Sequence, residues 1–294
     1  MKAYAIAGKL GFHFADDAQL PDLQKKMHDS AIALPLPDSV KLTVNGASRK
    51  LRKQPWHFYK GVPWKSQVVY NSDGTINEVL FHAPLFCEYL FFRLVLLPLL
   101  WRLAVIHGGF YLLGTACLTN DDITQVLFAR PGAGKTSYVL KQLHEQTVQL
   151  LGDGSLLYLP EEGFMPVIDE VELRWKTIAG TPWQNKLALK KQLQLRFYHL
   201  ISCLTRRFIS LNISVLSKEL GIEKRREEKR REEICIYTVH PGPMVAKLSK
   251  EAVEENIMLY LNNYHQIYQN IFTDSPPLTE SQQNIKIFCT KYLE

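Results

Sequence analysis

The 294-residue chain is poor in the features that most quickly assign a class. Its five cysteines, Cys87, Cys117, Cys203, Cys235 and Cys289, are scattered and odd in number, and no C-x-x-C pair occurs. That pattern indicates neither a zinc site nor a disulfide framework, and it fits a reducing, cytoplasmic location. A strong charge of either sign is also missing: 35 Lys and Arg against 29 Asp and Glu leave +6. Such an excess suits a phosphorylated ligand without calling for nucleic acid. The N-terminal MKAYAIAGKLGFHF has no secretory h-region or cleavage site, and no internal repeat is visible. An uninterrupted membrane-length apolar run is absent too. The nearest stretch, 84–113, is broken by Glu88, Arg93, Arg102 and His107 and holds Pro98. Charges at those depths are costly in lipid, so a buried amphipathic helix is expected and a membrane span is not.

What the chain does have is apolar content of 46%, enough for a substantial core, and a glycine-rich stretch reading LFARPGAGKT over 127–136. The apolar run 123–128 before it has strand character, and 136–143 after it has helix character. Strand, flexible turn and helix is the setting of a phosphate cradle. Glycines allow the backbone to approach the ligand, and N–H groups at the helix start point at anionic oxygens. In that reading Gly132, Ala133, Gly134, Lys135, Thr136 and Ser137 form the nucleotide-binding set. Lys135 reaches the outer phosphates and Thr136 offers a hydroxyl to Mg²⁺. Ala129 stands where the full pattern has its first glycine. The alternative is an ordinary Gly/Pro loop with a solvated lysine.

Along the chain, 3–14 predicts a first strand with Gly8 and Gly11 as bulge sites, and Ser39–Val44 alternates as a half-buried strand before an Asn45-Gly46 turn. Trp56, Phe58, Tyr59 and Trp64 lie in a basic segment, where core filling competes with a base-stacking platform and is preferred. Hairpins are expected at 67–81 and 110–129, the second turning at Asp121 and Asp122 and delivering the chain into the loop. Beyond the loop helix come a strand, an acidic Gly152-Asp153-Gly154 turn, a second strand at 155–159, and a further strand at 171–175. From about Pro182 helical spacing dominates, and the run 223–233, EKRREEKRREE, reads as a solvated helix face with i,i+4 pairs. Cys235–Val239 has strand character inside this region, and 248–272 reads as an amphipathic helix.

Phosphoryl transfer to a hydroxyl needs a carboxylate near the acceptor and a metal to neutralise the phosphate oxygens. Asp153, 18 positions after Lys135 at an expected strand end, is placed to face the same cleft. The order hairpin, glycine loop, helix, LLGD, strand resembles the HPr kinase/phosphorylase family and its distant relative, the ATP-dependent phosphoenolpyruvate carboxykinases. The chain resembles the small HPr-kinase-like serine kinases of bacteria through YAIAGKLGF, LPDL, Ile106-His107-Gly108 and Leu151-Gly-Asp153, and Val171-Glu-Leu-Arg174 is similar to the E-x-R strand of HPr kinases. The resemblance covers roughly 1–178. It implies an α/β fold: a P-loop core of that family's type with a mixed β-sheet, a β-rich N-terminal region and a helical C-terminal part. The expected divisions are 1–105, 106–180 and 181–294.

The resemblance further implies ATP and Mg²⁺ as cofactors, with catalytic roles for Asp153 as general base, His107 beside the transferred phosphate and Lys135. It makes Thr136 and Glu172 metal ligands. The implied acceptor is a serine-type hydroxyl on a protein, a small molecule or a peptide, since some relatives modify a serine in lasso-peptide tailoring. No nucleic-acid partner is expected, and a homo-oligomer stays open. The chain departs from the family at Ala129, at Gly154 in place of a second Asp, and in its charge-rich end. Two other functions stay open. One is a P-loop ATPase or switch, for which Met165–Glu170 resembles a Walker B strand weakened by Pro166; the other is a non-catalytic nucleotide-binding protein.

Overall fold

The computed structural model describes residues 2–6, 8–15, 20–27, 30–45, 49–59, 61–84, 88–120, 123–128, 133–145, 148–205, 212–222, 233–240, 244–272 and 277–293. The chain is a mixed α/β protein that divides into two compact units. The first comprises Met1–Tyr111, Leu159–Glu161 and Met258–Ile285; the second comprises Leu112–Tyr158, Glu162–Ile257 and Lys286–Glu294. These units do not follow the expected boundaries at 105 and 180, because the C-terminal third returns to both of them.

In the first unit a seven-stranded sheet runs in the order β3-β1-β2-β4-β7-β6-β5. The strands are β1 (Lys2–Ile6), β2 (Leu10–Phe14), β3 (Ala31–Ile32), β4 (Val40–Val44), β5 (His57–Tyr59), β6 (Val62–Tyr70) and β7 (Ile76–His82). The expected single strand over 3–14 is instead an antiparallel hairpin, with Gly8 at its turn at φ +64. The 39–44 strand and the 67–81 hairpin form as expected, and β4 alternates between buried and turned-out residues. Tyr4, Phe12 and Phe14 of the first hairpin join Phe81 and Phe91 in an aromatic core.

The basic aromatic segment is split by strand alternation. Trp64 is fully buried and stacks on Phe81 at 6.0 Å, while Phe58 is 70% exposed and Trp56 is half exposed beneath the Lys65 ammonium. Core filling therefore describes only part of that group.

The apolar stretch forms a helix over Glu88–Ile106, long and apolar enough to cross a membrane, with 67% of its apolar window buried inside the protein. Its middle, Phe92–Leu96, widens to a π turn in which the Leu97 N–H donates to the Phe92 carbonyl. Pro98 follows directly. A proline has no N–H to give and its ring crowds the carbonyl one turn back, so the preceding turn opens. Trp101 packs against Tyr264 and Tyr268 of the helix Lys250–Gln269, and its indole N–H donates to the Ser281 hydroxyl at 2.9 Å.

The second unit holds a six-stranded sheet in the order β11-β10-β8-β9-β14-β15 and a two-stranded sheet of β12 and β13. Its strands are β8 (Phe110–Thr119), β9 (Ile123–Phe128), β10 (Gln149–Leu159), β11 (Gly163–Pro166), β12 (Val171–Leu173), β13 (Ile213–Val215), β14 (Glu233–His240) and β15 (Met244–Lys247). The β8/β9 hairpin forms as expected, but Asp121 and Asp122 lie outside the described residues. So does 223–232, nearly all of the charge run.

The expected helical end supplies three strands of this unit. β14 pairs parallel to β9 from Glu233↔Ile123 to Thr238↔Phe128 and then turns back antiparallel into β15. Parallel neighbours need a crossover, so their pairing leaves no local trace in the sequence.

Cysteine chemistry follows burial. Cys117, Cys235 and Cys289 are buried and Cys203 is exposed. Burial, with Glu254 nearby, pushes the Cys289 thiol up to about 11. Iodoacetamide at pH 8 is expected to alkylate Cys203 in the native protein and to spare those three. Mass-spectrometric detection of Cys289 modified as fast as Cys203 would contradict this placement.

Candidate functional site

β9 is the fourth strand across the sheet, flanked by β8 and β14, and the helix Lys135–His144 begins seven residues after its end. Of the loop between them, Ala129–Gly132 lie outside the described residues; Ala133 and Gly134 are described. The helix packs on the sheet through fully buried Val139 and nearly buried Leu140. These side chains meet Ala116, Leu118 and Leu127 of the central hairpin and Val171 and Leu173 of β12. The indole N–H of Trp183 donates to the Leu140 carbonyl at 3.0 Å and fixes the helix from outside the sheet. A Trp after Pro182 was visible in the sequence; its partner 43 positions away was not.

The start of this helix is arranged as an anion nest. Gly134 is its N-cap at φ 106, ψ 12, a left-handed conformation that strains any residue with a Cβ. The Tyr138 N–H donates to the Gly134 carbonyl at 2.9 Å, which closes the first turn. The N–H groups of Lys135, Thr136 and Ser137 precede that bond and so have no partner inside the helix. Glycine offers no side chain to cap them. Three aligned donors at a positive helix end favour a phosphate-like ligand. Thr136 is half-buried in the first turn and Ser137 is exposed.

The carboxylate that meets this nest is Asp153. Its Oδ1 accepts a hydrogen bond from the Lys135 ammonium as an ion pair, with side-chain exposures of 3% for Asp153 and 14% for Lys135. The two residues picked from the sequence for one cavity are therefore in direct contact. Their local setting differs from the expectation. Gly152-Asp153-Gly154 is no turn: it lies within the continuous strand β10, between β11 and β8. The apolar residues on either side, Leu150 and Leu156–Leu159, are buried, and pairing on both edges overrides the turn preference of the glycines.

Gly152 sits where a neighbour comes close. A Cβ there would lie 2.7 Å from Leu156 Cδ2 and 2.9 Å from Pro166 Cβ, both under van der Waals contact. Gly152→Ala is expected to push β10 from β11, costing about 1–3 kcal/mol and moving Asp153 with it. A urea midpoint equal to that of the wild type would show that β10 tolerates the methyl without shifting.

Two further expected site residues, Glu172 and His107, have local settings of their own. Glu172 is the exposed middle residue of β12, opposite Ser214, and its carboxylate accepts a 2.7 Å hydrogen bond from the Asn212 amide. The flanking Val171 and Leu173 occupy the face toward the helix, so strand alternation turns Glu172 outward. His107 belongs to the first unit. It is the exposed C-cap of the helix Leu97–Ile106, with its N–H donating to the Ala104 carbonyl at 3.1 Å, and Gly108 and Gly109 complete the cap.

Asp169 and Glu170 follow β11, the edge strand, which β10 and β8 separate from β9. Asp169 accepts a 3.4 Å hydrogen bond from the Ser217 N–H. Among the described residues no group of three His, Cys, Asp or Glu side chains is placed to hold a metal. Thr136 and Ser137 are the hydroxyl side chains of the nest, and Asp153 is the carboxylate paired with its lysine. No protein-family model matches this chain, and no curated protein matches it.

Proposed function

We propose that the protein is a phosphotransferase that moves the γ-phosphate of ATP, with Mg²⁺, to a serine-type hydroxyl. The observation that carries this reading is the buried Lys135–Asp153 ion pair at an uncapped helix N-terminus. Without ligand, the lysine has the aspartate as its counter-charge. An incoming triphosphate offers the ammonium a competing and more highly charged partner, while the N–H groups of the first turn take phosphate oxygens. Lys135 then turns to phosphate, and the Asp153 carboxylate is left beside it without that counter-charge. A carboxylate released in that position takes the proton of an attacking hydroxyl as its new P–O bond forms and the γ-phosphorus bond to the bridging oxygen breaks, with ADP leaving. Thr136, through its hydroxyl, would be the residue to hold Mg²⁺, which would supply neutralisation of charge on the transferred group.

The HPr-kinase-like P-loop core belongs to this proposal, as do its acceptor classes, protein, peptide or small molecule, and a cytoplasmic setting. Incubation with γ-³²P-ATP, Mg²⁺ and the products of neighbouring genes tests it. Label on a seryl hydroxyl, or on an alcohol, is the expected result. ATP consumed to free phosphate under every acceptor condition is the result expected of a P-loop ATPase. That second reading would have Glu170 as its catalytic carboxylate, a residue which here follows the edge strand rather than a neighbour of β9. Activity lost in Glu170→Gln and kept in Asp153→Asn would select it. Nucleotide affinity without turnover would select a binding protein.

A further inference from the structure

The helix Leu189–Leu204 of the second unit is amphipathic in a way its own fold does not use. It is held inward by fully buried Leu195, by the Arg196 guanidinium 4.7 Å from the Trp175 ring, and by an ion pair between Lys191 and Glu219. Away from that attachment, Leu189, Leu193, Phe197, Leu200 and Leu204 are 70, 54, 59, 55 and 74% exposed. Their steps of four, four, three and four positions bring all five within an arc of about 80° at 3.6 residues per turn, with Leu195 roughly opposite. A regular apolar line along a helix ordinarily faces a core. Here the core side is already occupied, and the line faces solvent for about 22 Å at 1.5 Å per residue.

The borders of this seam carry one sign of charge. The helix sequence LKKQLQLRFYHLISCL contains no Asp or Glu, and Lys190 and Arg196 flank the seam on its two sides. Arg206 and Arg207 follow in the sequence.

We propose that this seam docks a single helix of a partner polypeptide, apolar along one face and acidic on both flanks. An apolar arc of about 80° matches one partner helix packed ridge into groove. A helix lying on a membrane keeps its Lys and Arg on the face away from its apolar residues, whereas Lys190 and Arg196 stand at the edges of the apolar arc itself. Pairing with a second copy would bring Lys190 and Arg196 against the same residues, with no carboxylate on either helix to meet them. An acidic flank on the partner answers both borders at once. The proposal does not depend on phosphoryl transfer.

The test uses the full chain and two fluorescein-labelled synthetic peptides of roughly 20 residues, a length that sustains helix once docked. Both carry Leu at the same spacing as the seam; one has Glu at the flanking positions and the other Lys. In fluorescence anisotropy the Glu peptide is expected to bind at least about tenfold more tightly than the Lys peptide. Replacing Leu193 and Phe197 together by Ser should weaken the Glu peptide by about tenfold or more, since central apolar anchors carry most of such an interface. Both positions are solvent-exposed, so circular dichroism and Tm should stay at wild-type values and separate lost docking from lost folding. Lys190→Glu should lower affinity for the Glu peptide several-fold and raise it for the Lys peptide.

Equal binding of the two peptides, no binding, or binding indifferent to the Ser substitutions overturns the proposal. So does seam-dependent attachment to phosphatidylserine vesicles in place of the peptide, which would assign the seam to a membrane. A dimer in sedimentation that Phe197→Ser dissociates would assign it to a second copy and equally overturn it.

Discussion

Asp153→Asn is expected to reduce phosphoryl transfer by about 10²–10⁴-fold while ATP remains bound, the range for removal of a general base. Asparagine keeps the shape of the carboxylate and its hydrogen-bonding oxygen but cannot accept the hydroxyl proton. It also removes the counter-charge of Lys135. The lysine is then free to pair with phosphate without first giving up a partner, so ATP affinity is expected to hold or rise. Isothermal titration with a non-hydrolysable ATP analogue, alongside single-turnover transfer of γ-³²P, measures the two effects separately. Transfer at the wild-type rate would remove Asp153 from the chemistry. Loss of binding together with transfer would reduce its role to holding the loop helix in place.

Lys135→Met is expected to produce the larger loss of stability, together with loss of ATP binding. The two partners of the ion pair are not equivalent. Asp153 sits within β10 at 3% side-chain exposure and cannot swing to water, whereas Lys135 stands at the first turn of a helix at 14% on a long flexible stem. Removing the lysine strands a buried carboxylate, and breaking a buried pair this way costs about 3–5 kcal/mol. Removing the aspartate leaves an ammonium that can turn outward, so Asp153→Asn should cost less. Methionine matches the apolar stem of lysine, which confines the change to the charge. The double variant, Lys135→Met with Asp153→Asn, should recover part of the loss because no charge is left buried and alone. Urea denaturation of the three variants gives the comparison. A Lys135→Met midpoint equal to the wild type, or no recovery in the double variant, would mean that the pair is solvated and contributes little to the fold.

How much of this was legible in advance depended on how local the physics was. The β6/β7 and β8/β9 hairpins, the alternation of β4 and the helix after the glycine loop could be read from neighbouring residues, because period, turn chemistry and propensity act over a few positions. The 18-position spacing of Lys135 and Asp153 was likewise visible in the sequence. Gly152-Asp153-Gly154 misled in detail, since its turn preference is a local free energy smaller than pairing on both sides of β10. Glu172 and His107 were drawn to the site by their order in the chain. Strand alternation turns Glu172 outward, and His107 is the C-cap of a helix of the first unit.

The sequence by itself determined the anion nest: Gly134 for its left-handed cap, then the helix whose first N–H groups are left over. It also determined that the Leu189–Leu204 helix would have one apolar line, because side-chain spacing along a helix is a property of the chain alone. Only the tertiary structure decided that Asp153 meets Lys135, that β14 lies beside β9 across more than a hundred intervening residues, and that the apolar line of that helix faces water. Each of these is settled by packing between segments far apart in the chain. Their free energy comes from burial and pairing that no short window of residues contains.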